Sequence, residues 1–269
     1  MKPNSIIVAA LFSGIVGFSS CKSTKPTAGS ITAEPVHPTL YATLFQQEAA
    51  EYNALCLQAY NVAALRLEEA SKHASIKPQA VILDIDETVL NNIPYQAEVI
   101  KKNLSYPAGW AEWMEQASAE PLAGVVAFLL KAKEKGIAVF YVSNRKNTFK
   151  QATIRNLKEK NLPFADEDHV LLRTTSNEKE SRRQKVMEQY NVIMLIGDNL
   201  GDFDGIFEGT NAEKRRSEVM DNAANFGTKW IVLPNAVYGN WVDVLPGYRQ
   251  GMSNQEFSDS LKIHLKSFR

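Results

Sequence analysis

Residues 80–92 read AVILDIDETVLNN. An apolar run from Ala80 to Leu83 delivers two aspartates, Asp84 and Asp86, with Ile85 between them. Apolar runs recur at 137–142, 192–196 and 230–233, and a shorter one, VLLRT, starts at Val170. These runs are continuous rather than alternating, which suits parallel strands buried on both faces. Helical stretches fall between them, at 125–135 before Gly136 and at 148–160 before Pro163. Strand–helix alternation of this kind predicts a doubly wound α/β domain, with its core starting near residue 77.

The chain has 269 residues, 45% hydrophobic and 22% charged, enough for one large domain with a sizeable core. Thirty basic residues balance thirty acidic ones, which argues against a binder of nucleic-acid polymers. Two cysteines, Cys21 and Cys56, make neither a disulfide framework nor a cysteine zinc site.

The N-terminus has the form of a targeting segment. Lys2 precedes an apolar stretch at 6–18 that is too short to span a membrane. Ser19, Ser20 and Cys21 follow, and FSSC resembles a bacterial lipoprotein signal, which implies lipidation of Cys21. On that reading residues 1–20 are a signal peptide. Residues 21–38, rich in Ser, Thr, Pro and Gly, are a flexible tether. The domain then occupies 39–269. A membrane would be met only through the lipid anchor, and the protein would be an outer-membrane lipoprotein facing the periplasm or the exterior.

From Leu44 to about Lys72 the pattern is helical, with Tyr52, Leu55, Cys56, Ala59 and Val62 or Ala63 on one stripe. Cys56 on that stripe reads as a buried, inert thiol. Residues 91–120 are longer than a crossover needs and carry Tyr95, Tyr106, Trp110 and Trp113. They predict a small helical cap, joined by the segment at about 40–75. The tail beyond Trp241 has no clear place.

In open α/β sheets, ligands bind beyond the carboxyl ends of the strands. Asp84, Ser143 and Asp198 all fall at such ends. Asp84 and Asp86 are two residues apart, so they share a side while the chain stays extended. The plainer reading is that Asp86, and Asp198 or Asn199, cap helices; it explains poorly why three strand ends carry polar groups at once. With Asp202, four carboxylates crowd one mouth. Each like-charge pair about 4 Å apart costs roughly 4 kcal/mol at an effective dielectric of about 20. A hard divalent cation such as Mg²⁺ offsets this and brings phosphate with it. SNEKESRRQKV supplies Lys179, Arg182 and Arg183; the arginines are either a second positive charge or an exposed helical charge run.

DIDET, Ser143 in FYVSNR, Lys179 and GDNLGD resemble the four motifs of the haloacid-dehalogenase superfamily of phosphatases. Taken with LPNAVYGNW and the lipoprotein signal, they resemble more closely the class C acid phosphatases. These are bacterial lipoprotein phosphatases of nucleotides and other phosphomonoesters. The likeness runs from about Leu40 to Trp241, and Asn91 departs from it where an Asp is expected. It implies a nucleophile at Asp84, an acid/base at Asp86, and phosphate binding by Ser143, Asn144 and Lys179. It implies Mg²⁺ held by Asp84, the Asp86 backbone carbonyl and Asp198, with Asp202 nearby. It also sets Tyr238 against a substrate base, with Trp241, Trp110 and Trp113 as further aromatic candidates or mere packing. The expected substrate is a small phosphomonoester. Two rivals remain in view. A receiver-type signalling domain has adjacent acids, whereas Ile85 separates these. A non-catalytic surface binding lipoprotein has no need of Asp84, Asp86, Lys179 and Asp198 together.

Overall fold

The computed structural model describes residues 36–268. The signal peptide, Cys21 and most of the tether lie outside them. Two helices, α1 (Leu40–Glu48) and α2 (Ala50–Ala70), precede β1 (Gln79–Leu83). An insertion follows, made of β2 (Leu90–Asn91), α3 (Ile93–Lys101), α4 (Trp110–Gln116) and β3 (Glu120–Pro121). Alternation then resumes with α5 (Val125–Glu134), β4 (Ala138–Lys146), α6 (Lys150–Glu159), β5 (Val170–Arg173), α7 (Glu180–Gln189) and β6 (Asn191–Gly197). The chain closes with α8 (Ala212–Asp221), β7 (Trp230–Val232), α9 (Asn240–Asp243) and α10 (Asn254–Ile263).

Five strands form one parallel sheet in the order β5-β4-β1-β6-β7. Helices cover both faces, as the unbroken apolar runs require. In β1, Val81 and Leu83 face one core with α2 and α5, while Ala80 and Ile82 face the other with Val186 of α7. The chain leaves β1 for β4 on one side and later returns to β6 on the other. The carboxyl end of β1 is therefore the topological switch point, where a crevice must open.

The predicted helix at 44–72 is two helices. Ala49 has an extended backbone (ψ 125°) and breaks it. The stripe is also rotated from the expected one: Tyr52, Cys56, Tyr60, Ala63 and Leu67 are buried, whereas Leu55 is 43% exposed. A helix lying on a sheet buries one narrow face, and Leu55 sits beside it rather than on it. Burial pushes the Cys56 thiol up to about 11. The segment at 40–75 divides in role: α1 contacts α3 of the insertion, while α2 packs on α5, β6 and β7. The short antiparallel pair β2–β3 clips the base of the insertion. Among the described residues no helix is long and apolar enough to cross a membrane.

Candidate active site

The β1–β6 ladder runs one residue past β1, since the Asp84 N–H donates to the Ile196 carbonyl at 2.9 Å. Asp84 continues the side of Ala80 and Ile82, the face covered by α7. Lys179 stands at the N-terminus of that helix, and its ammonium pairs with Asp84 Oδ1 and, at 2.6 Å, with Asp202 Oδ1. All three side chains are buried. After Ile85 the chain turns sharply. Glu87 adopts a left-handed backbone (φ 55°), and the Leu90 N–H returns to the Ile85 carbonyl at 2.8 Å. The turn aims Asp86 at β4.

Asp86 has its own set of partners. Arg145 Nε donates to its Oδ1 at 2.9 Å, Asn92 Nδ2 donates to the same oxygen at 2.8 Å, and Ser143 Oγ lies 3.2 Å from Oδ2. Asn92 is fixed in turn: its N–H donates to Glu87 at 2.7 Å, and Trp113 Nε1 donates to its Oδ1 at 2.8 Å.

Asp198 follows β6. Thr88 Oγ1 donates to its Oδ1 at 3.1 Å, and Asn235 Nδ2 donates to its Oδ2 at 2.8 Å. Asp202 accepts the Asn199 N–H at 2.9 Å in a capping box. Gly197 makes this approach possible: a Cβ there would lie 2.3 Å from Asp202 Oδ2.

Carboxylate oxygens of Asp84, Asp198 and Asp202 gather within 4.8 Å of one another. Burial pushes Asp84 well above the ordinary carboxylate range; Lys179 pulls it down, and Asp202, Asp198 and Asp86 add to the rise. Burial, then Asp202, lifts Asp198 to about 7. Three oxygen donors with excess negative charge suit a hard divalent cation. The Asp86 side chain is not part of this group.

The arginines of α7 are neither a phosphate clamp nor an exposed charge run. Both are buried. Arg182 holds the Ser143 carbonyl and, at 2.6 Å, Asn144 Oδ1, while Arg183 holds the Gly201 carbonyl at 2.7 Å. They strut the two loops that carry the site. A surface charge run and a row of struts look alike in sequence.

These groups open on a cavity of about 670 Å³, within the usual range for small-molecule sites. Asp84, Asp86, Asn144, Lys179, Asp198, Asp202 and Tyr238 all line it. Ser143 is fully buried, and its hydroxyl is turned to Asp86. Of the cap aromatics, Tyr106 and Trp110 line the cavity, and Trp110 meets Tyr95 edge-on at 4.9 Å. Trp113 is tied to Asn92, and Trp241 is 42% exposed outside the lining. The unplaced tail returns to this wall, bringing Tyr248, Met252 and Phe257.

A family model for the HAD superfamily, subfamily IIIB (acid phosphatase), matches residues 18–241. The chain belongs to this family. Its fold is similar to the class C acid phosphatase from Bacillus anthracis, with 39% identity and a TM-score of 0.84 over 87% of this chain and 99% of that one. The same protein with tungstate bound gives 38% identity and a TM-score of 0.83, with the same coverage. Acid phosphatase 1 of Solanum lycopersicum is 26% identical over 133 residues, 46% of this chain. The chain spans about half (51%) of that relative's length. Within this acid phosphatase fold, four partners of the acids had not been singled out in the sequence: Thr88, Asn92, Arg145 and Asn235. All four stand inside quoted motifs, DIDETVLNN, YVSNR and LPNAVYGNW, but only the folded chain reveals what they touch.

Proposed function

We propose that the protein is a Mg²⁺-dependent phosphomonoesterase that works through an aspartyl-phosphate. The observation that carries this reading is Asp84, a buried carboxyl on the cavity wall between Lys179 and two further acids. In the first step an Asp84 oxygen attacks phosphorus in line while the ester oxygen leaves. Asp86 protonates that oxygen, then takes a proton from the water that releases phosphate. Lys179 offsets charge on the nucleophile and the phosphoryl oxygens, and Asn144 offers its amide to them. Ser143 would have to turn from Asp86 to join it. Asp84, Asp198 and Asp202, with the Asp86 carbonyl, would hold Mg²⁺, which stabilises charge on the transferring phosphoryl group. Tungstate in the Bacillus anthracis relative supports the reading, since it is a tetrahedral oxyanion like phosphate.

The substrates are small phosphomonoesters, nucleoside monophosphates among them. Tyr238 and Trp110 on the cavity wall support a base-binding role. We further propose that Cys21 is lipidated and anchors the protein to the outer membrane, facing the periplasm or the exterior. The motif FSSC supports this. The test of the activity is release of inorganic phosphate from AMP and from glycerol phosphate. EDTA abolishes it, Mg²⁺ restores it, and Asp84→Asn ends turnover in a folded protein. Phosphate release by thoroughly chelated protein, or by Asp84→Asn, refutes the assignment. Tight binding without release identifies a binding protein instead.

A further inference from the structure

We infer that Arg145, aided by Asn92, is a positioning residue that dedicates the two oxygens of Asp86 to different tasks. This rests on the assignment of Asp86 as acid/base. An arginine beside a carboxylate commonly forms a fork across both oxygens. Here Nε donates to Oδ1 at 2.9 Å and Nη2 lies 2.8 Å from that same Oδ1. Asn92 Nδ2 donates to Oδ1 as well, at 2.8 Å. An oxygen with two lone pairs is fully engaged by the Arg145 Nε–H and the Asn92 Nδ2–H. Among the described residues Oδ2 keeps only the Ser143 hydroxyl, at 3.2 Å. The catalytic proton therefore travels on Oδ2, and Oδ1 is the hinge that aims it.

Both holders are themselves held. The Arg145 side chain is 2% exposed, and its Nη1 donates to Thr153 Oγ1 at 3.2 Å. Asn92 is fully buried between Glu87 and the indole N–H of Trp113. The cap helix α4 thus reaches the acid/base through a single amide.

In the first step the Asp84–phosphorus bond forms, the phosphorus–ester oxygen bond breaks, and the Oδ2 proton passes to the leaving oxygen. In the second, water attacks phosphorus and the Asp84–phosphate bond breaks. One water proton returns to Oδ2, and inorganic phosphate departs. An Asp86 free to rotate would spend part of its time with the wrong oxygen, or neither, toward the ester.

Leaving groups provide the test. An alkoxide needs the proton, whereas a nitrophenolate departs without it. Positioned general acid catalysis contributes about 10²–10⁴-fold. Arg145→Met should lower kcat/KM for glycerol phosphate by about 30-fold, and for p-nitrophenyl phosphate by less than about threefold. Arg145→Lys, which keeps the charge but not two N–H directions, should show the same skew, smaller. It serves as the test if Arg145→Met does not fold. A loss equal for both substrates, or no loss, overturns the positioning role while the wild type remains a phosphatase. A wild type inert toward both substrates removes the underlying assignment instead.

Discussion

Replacing Lys179 with Met isolates the electrostatics of the acid cluster. Burial pulls the Lys179 ammonium down, but Asp202 and Asp84 outweigh it and hold the group above its ordinary value. A lysine raised in this way stays charged at every pH below its ordinary value, so its own titration adds no pH dependence from pH 5 to pH 8. The acids run the other way. Asp84 and Asp198 are raised, Asp198 to about 7. Their ionisation opposes folding, and the metal-free protein loses stability as pH rises from the ordinary carboxylate range up to about 7, with no further loss from Asp198 above it. Removing one partner of a buried pair costs about 3–5 kcal/mol when the other stays charged. At pH 8 without metal, Lys179→Met should approach that cost. At pH 5 Asp84 and Asp198 escape by staying protonated, and the cost falls toward that of a lost hydrogen bond, about 1 kcal/mol. For a domain of this size each kcal/mol moves Tm by roughly 2–4 °C. The expected loss is about 10 °C at pH 8 and about 3 °C at pH 5. Thermal melts in EDTA at both pH values measure it, and saturating Mg²⁺ should recover stability chiefly at pH 8. Equal losses at the two pH values, or none at pH 8, would show that the cluster is not electrostatically strained.

Gly197→Ala should push Asp202 out of place, because the new Cβ has 2.3 Å to share with its carboxylate. The Mg²⁺ concentration for half-maximal activity should rise by about tenfold or more, and an unchanged requirement counts against Asp202 in the metal group. Tyr238→Ala should remove most of a roughly 10- to 100-fold preference for AMP over glycerol phosphate in kcat/KM, as a stacked base gains about 1–3 kcal/mol. A preference that survives Tyr238→Ala assigns the base to another surface. Cys21→Ala should yield a protein without lipid by mass spectrometry; an unmodified Cys21 in native membranes would refute the anchor.

What the sequence makes legible follows from the range of each signal. The strands could be read because both faces of the sheet are covered, so Ala80, Val81, Ile82 and Leu83 must all be apolar whichever core they face. The strand ends could be read because Asp84 and Asp198 break those runs where a ligand crevice forms. The α2 stripe was only partly legible: Leu55 is as apolar as its neighbours, and a shift of one residue turns it outward. Arg182 and Arg183 illustrate a harder limit. Their neighbours in sequence are charged and polar, and that local pattern predicts solvent. Their partners are the carbonyls of Ser143 and Gly201, residues that only the crossover from β5 to β6 brings alongside. The same limit hides Asn235, 37 residues from Asp198, and Arg145, 59 residues from Asp86. A residue that meets substrate announces itself by breaking a local pattern. A residue that aims it is an ordinary polar side chain until the fold supplies its partner. The acids at the strand ends therefore point to the chemistry, while the means of directing Asp86 becomes visible only in three dimensions.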